Sequence, residues 1–158
     1  MTALHLTVNG AAHDLEVEPR RLLADVLRHR LGMYGVHLGC EHGACGACSV
    51  VMDGELVLSC LTLAVQAEGA SIVTIEGLAH ERELHAVQKA FNQEHGLQCG
   101  FCTPGFIVAA ADLLGRIADP DEATIRSELS GNICRCTGYT NIVKAVRSAS
   151  RMLQEEAL

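Results

Sequence analysis

All eight cysteines of this 158-residue chain fall into two groups of four, with none left over. The first is Cys40, Cys45, Cys48 and Cys60, in the order C-x4-C-x2-C-x11-C. The second joins a C-x2-C pair, Cys99 and Cys102, to a C-x-C pair, Cys134 and Cys136, across thirty-one residues. A chain so divided has to fold around two sites. The alternation of residues 1–8 predicts a strand and has neither the basic start nor the apolar core of a secretory signal. No apolar run approaches the roughly 18 residues of a membrane helix. Both points predict a soluble, cytoplasmic protein, in whose reducing surroundings eight cysteines serve as metal ligands rather than disulfide partners.

The first spacing matches the plant-type [2Fe–2S] run, three close ligands and a later fourth. The loop GCEHGACGAC at residues 39–48 carries Gly39, Gly43 and Gly46, where positive φ costs little and backbone N–H groups can turn toward sulfur. Zinc is the competing metal, but its knuckles come as two opposed pairs, whereas here three ligands share one loop. The second group is open on spacing alone between another cluster and zinc. Haem is excluded because neither C-x2-C pair precedes a histidine. A thiol–disulfide role for Cys99 and Cys102 leaves Cys134 and Cys136 unexplained.

A net charge of −7, scattered Lys and Arg, and 3% aromatic residues without Trp argue against a nucleic-acid partner. Periodicity divides the chain. Leu4, Leu6 and Val8, the turn Asn9-Gly10, then Leu15 and Val17 predict a hairpin. Leu22, Leu23, Val26, Leu27 and Leu31 predict a helix closed by Gly32. A second hairpin turns at Asp53-Gly54 between Val50-to-Met52 and Leu56-to-Leu58, and Ser71 to Ile75 makes the last strand. After a polar stretch through Glu83 the periodicity becomes helical. Leu84, Val87 and Phe91 mark one helix; Thr103-Pro104, read as N-cap and first helical residue, opens a second that runs to Ile117. Asp119-Pro120 opens a third ending near Gly131, and Ile142, Val143, Val146, Met152 and Leu153 mark the last. The fold class is therefore α+β: residues 1–77 as a small mixed-sheet domain, residues 78–158 as a four-helix domain with cysteines in two interhelical loops.

The segments QCGFCTPG at 98–105 and GNICRCTGY at 131–139, together with the loop at 39–48, resemble the signature segments of the small iron–sulfur subunit of the xanthine dehydrogenase family of molybdenum hydroxylases. The resemblance spans nearly the whole chain. It implies a plant-ferredoxin-like β-grasp domain holding one [2Fe–2S] cluster on Cys40, Cys45, Cys48 and Cys60. It also implies a four-helix domain holding a second on Cys99, Cys102, Cys134 and Cys136. That second cluster would face the molybdopterin cofactor of a large partner subunit, with Gln98 and Cys136 in hydrogen-bond contact with the pterin. From the residues alone, Gln98 reads as a solvated or loop-bracing amide.

In the resembled enzymes molybdenum hydroxylates a carbon with oxygen from water. Electrons then pass singly through the C-terminal and N-terminal clusters to FAD on a medium subunit or to an external acceptor. The chain would be an electron-transfer subunit without catalytic residues of its own, as it lacks a second constellation of nucleophile and base. The absence of long extensions suggests separate molybdenum and flavin subunits, in a dimer of heterotrimers. The competing reading is a free-standing two-cluster electron carrier. Arg135 reads equally as a tuning charge and as an interface ion-pair partner. His42 reads as a loop residue near solvent, and the remaining histidines, His29, His37 and His80 among them, as surface groups.

Overall fold

The computed structural model describes residues 1–80 and 83–157. A five-stranded mixed sheet comes first and helices follow, an α+β arrangement. Strands β1 (Thr2–Val8) and β2 (Ala11–Val17) form the first hairpin, and β3 (Ser49–Met52) and β4 (Glu55–Leu58) the second. The sheet order is β2-β1-β5-β3-β4, with β5 (Ser71–Val73) parallel to β1 and antiparallel to β3. Both hairpins turn through left-handed pairs, Asn9 with Gly10 and Asp53 with Gly54, whose twist matches that of the strands they join.

Leu4, Leu6 and Val8 point inward from β1 onto α1 (Leu23–Asp25) and the π-helical turn Val26–Arg30 that extends it. The expected helix thus begins one residue later and loosens midway: Leu31 N–H bonds the Val26 carbonyl, five residues back. Gly32 closes it at φ 73°. Cys48 and Cys60 belong to the core formed with α1 and the sheet.

The second core gathers Val87 and Phe91 of α2 (Ala86–Gln93), Phe106 and Leu113 of α3 (Thr103–Arg116), Ile125 of α4 (Glu122–Glu128) and Ile142 and Val146 of α5 (Thr140–Glu156). Cys134 is part of it. Full burial of each such side chain stabilises by about 1.5–3 kcal/mol. Helix α3 also lies along β3 and β4, so it joins the two cores.

Element ends depart from the sequence reading at further points. Strand β5 stops at Val73, because Ile75 enters a 3-10 turn, Ile75–Gly77. Leu84 precedes its helix and is half exposed, with His85 as the N-cap. Thr103 is inside α3 and Cys102 holds the cap position. Asp121, not Asp119, caps α4 by accepting the Thr124 N–H at 2.8 Å. Of the polar stretch between the halves, residues 81 and 82 lie outside the described residues. Among the described residues no helix is long and apolar enough to cross a membrane.

Candidate metal centres

The first cysteine loop wraps because left-handed residues recur in it, Glu41, Gly43 and Gly46 at φ 54°, 83° and 69°. That winding turns backbone donors inward: Cys45 N–H donates to Cys40 Sγ at 3.4 Å. The fourth cysteine arrives from the end of β4. Ser59 Oγ–H donates to the Cys48 carbonyl at 2.7 Å, and its N–H donates to the same oxygen, which sets Cys60 beside Cys48. His42 is exposed, its Nδ1 bonded to the Cys40 carbonyl at 2.6 Å.

The thiols meet in twos. The backbone of His42 and then the Cys45 side chain draw the Cys40 thiol down to about 6. Burial and then hydrogen bonding with Cys48 push Cys60 up to about 11. In the second group, burial and then Cys134 push Cys102 up to about 12, while hydrogen bonding with Cys99 raises Cys136. For Cys134 burial acts upward, but donors from Thr137, the Cys136 backbone and Cys102 outweigh it and the thiol is lowered. The pairs are thus Cys40 with Cys45, Cys48 with Cys60, Cys99 with Cys136, and Cys102 with Cys134. Among the described residues no three His, Cys, Asp or Glu side chains converge as one ion's ligands would. Two thiol pairs per site suit a two-iron core, which takes two thiolates on each iron.

The two groups face each other. Ile133, one residue before Cys134, donates its N–H to the Cys45 carbonyl at 2.9 Å, and Asn132 Nδ2 donates to the Gly46 carbonyl at 3.0 Å in a buried contact. Helix α3 fits against this seam only because residue 105 is glycine: a Cβ there would run into the Gly46 carbonyl. His37 Nδ1 bonds the Phe101 carbonyl at 2.6 Å, and the two rings stack with centroids 4.8 Å apart. His37 is therefore a bridge between halves rather than the surface group its type suggested. Neither it nor Asn132 nor Gly105 carried a spacing signal, since each acts through a contact distant in sequence.

On the outer side of the second group, Cys99, Cys136, Gln98 and Arg135 are exposed. Leu97, Phe101 and Ile133, each within three residues of one of these cysteines in sequence, are 38%, 49% and 48% exposed. On the inner side Cys102 is partly buried and Cys134 buried.

Residues 6–71 match the family model described as a 2Fe-2S iron-sulfur cluster binding domain, and residues 74–147 that described as a [2Fe-2S] binding domain. The chain is 53% identical over 152 residues to the caffeine dehydrogenase subunit gamma of Pseudomonas sp. (strain CBB1), covering 93% of this chain and 90% of that one. It is 46% identical to a probable xanthine dehydrogenase subunit of Bacillus subtilis (strain 168), over 95% of this chain and 84% of the relative. A chain in the crystal structure of quinoline 2-oxidoreductase from Pseudomonas putida 86 superposes with a TM-score of 0.94 at 43% identity, covering 99% of this chain and 98% of that chain.

Proposed function

The chain belongs to the small [2Fe–2S] subunits of the xanthine dehydrogenase family of molybdenum hydroxylases, and from that premise we propose that its eight cysteines form a two-station electron relay. Cys99, Cys102, Cys134 and Cys136 hold the station nearer the molybdopterin cofactor of a large subunit. Cys40, Cys45, Cys48 and Cys60 hold the station nearer the exit, toward FAD on a medium subunit or an external acceptor. When bound, each cluster takes up and gives back one electron at a time.

The observation that carries this reading is the single backbone hydrogen bond from Ile133 to the Cys45 carbonyl. It links a residue adjoining one ligand directly to a ligand of the other group. Two structural metal sites would have no need of that proximity, whereas two stations of a relay do. Exposed Leu97, Phe101 and Ile133, close in sequence to exposed Cys99 and Cys136, support a large partner at that end, because apolar side chains gain by leaving water. Exposed Gln98 and Cys136 are free to reach a pterin across that interface.

The same reading divides the chain into a β-grasp domain, residues 1–77, and a four-helix domain, residues 78–158. It places the protein in the cytoplasm, within a dimer of heterotrimers. The two cores, one on the sheet and one among the helices, support the division.

The test is electron paramagnetic resonance (EPR) of the anaerobically purified, dithionite-reduced chain, with iron and zinc quantified on the same sample. Two distinct [2Fe–2S] signals and about four irons per chain are expected. Zinc at the second site with one signal would remove the relay and leave the helical half as a structural module.

A further inference from the structure

One inner ligand of the second group is held by a side-chain hydroxyl. Thr137 Oγ1 donates to Cys134 Sγ at 3.2 Å, and the Thr137 backbone N–H reaches the same sulfur at 3.4 Å. The direction of that hydroxyl is set from behind. Tyr139 N–H donates to Thr137 Oγ1 at 3.1 Å, so the oxygen is engaged as an acceptor and its proton is turned to the sulfur. Tyr139 is fixed in turn: its backbone is left-handed at φ 68°, its phenol oxygen accepts the Cys134 N–H at 3.1 Å, and its ring meets buried Phe106 edge-on. Thr137, Tyr139 and Cys134 thus close a loop of hydrogen bonds around one sulfur.

The first group is built differently. There Cys40 Sγ receives the backbone N–H of Cys45, and among the described residues no side-chain hydroxyl bonds a sulfur of that group. Donors to a ligand sulfur favour the more negatively charged, reduced cluster and so raise its potential. The effect is strongest away from water, and Cys134 is only 7% exposed.

We propose that Thr137 is a positioning residue whose hydroxyl, oriented by Tyr139, raises the reduction potential of the C-terminal cluster and not that of the N-terminal one. This poises the entry station to draw electrons from its partner. The inference rests on the reading of Cys99, Cys102, Cys134 and Cys136 as ligands of one cluster.

The experiment is an EPR-monitored redox titration of the full chain carrying both clusters, comparing the unsubstituted protein with Thr137→Val and Thr137→Ser. Thr137→Val should lower the potential of the C-terminal cluster and leave the N-terminal one in place as an internal reference. Thr137→Ser should return the C-terminal potential to near its original position. An unmoved C-terminal potential in the valine variant overturns the proposal, and so does an equal shift of both clusters. Should the valine variant not retain its iron, two measurements take its place. Thr137→Ala removes the same hydroxyl without bulk. Electron–nuclear double resonance on the unsubstituted reduced protein should find a strongly coupled proton that exchanges in D2O well before the loop amides, and its absence counts against the proposal. If the unsubstituted chain gives no second [2Fe–2S] signal, the cluster reading itself is wrong and this inference goes with it.

Discussion

Position in the fold, more than residue type, decides what the histidines do. His42 stays at the surface as its loop suggests, but His37 spans the seam between the cores and His85 caps α2. His85 Nδ1 accepts the Val87 N–H at 3.2 Å, which requires that nitrogen to be unprotonated. Burial holds the imidazole below its ordinary 6.5, with Glu156 opposing and Lys89 adding to the effect. The unfolded chain therefore takes the proton first. Stability contributed by the neutral ring is intact above 6.5 and declines as pH falls from there through the lower folded value. His85→Asn keeps a cap acceptor and removes the titration. Between about pH 7 and about pH 5 the apparent Tm of the unsubstituted protein should drop more than that of the variant. Parallel curves would show that the cap does not depend on a neutral ring.

The elements were legible wherever their cause is local. Alternation in β1 and the left-handed pairs at both hairpin turns are written in consecutive residues, and so are the apolar stripes of α2 and α5. The helix starts were not, because a cap is decided by which side chain can reach a free N–H once the preceding backbone is set. Asp121 reaches the Thr124 N–H where Asp119 was expected to cap, and the buried Thr103 hydroxyl has no hydrogen-bond partner among the described residues. Helix α3 shows the largest gap between pattern and outcome. Its many alanines favour close packing, but nothing in them says that the partner would be the first cysteine loop, met at Gly105. Gly105→Ala should push Cβ into the Gly46 carbonyl, which is backbone and cannot rotate away. Overpacking of this kind costs about 1–3 kcal/mol. A lowered apparent Tm at fixed scan rate would register it, along with weakened magnetic interaction between the two reduced clusters. An unchanged Tm would mean that the seam is slack.

Across the whole molecule, the cysteines proposed as ligands are also structural. Cys48 and Cys60 lie in the sheet core and Cys134 in the helical core, so iron held there would tie each core to its loops. Metal-coupled folding predicts that removing iron loosens both at once. After chelation under reducing conditions, limited proteolysis should cut within residues 39–48 and 131–139, while the strands and α5 stay protected. Protection of both loops in the iron-free chain would show instead that the seam alone holds them.

The α+β order and the first group's fit to a [2Fe–2S] run are written in residues close together in the chain, whereas the second group is open by spacing and was identified by its resemblance to a known family. Cysteine spacing sets which thiolates can share a metal, and side-chain periodicity sets helix or strand, both being local consequences of backbone geometry. Only the tertiary structure decided that the sites adjoin. The contacts that make one relay of them, Ile133 to Cys45, Asn132 to Gly46, His37 to Phe101 and Gly105 against Gly46, join residues about 60 or more positions apart. Their formation depends on two cores packing through α3, a global balance of burial that no short stretch of sequence encodes.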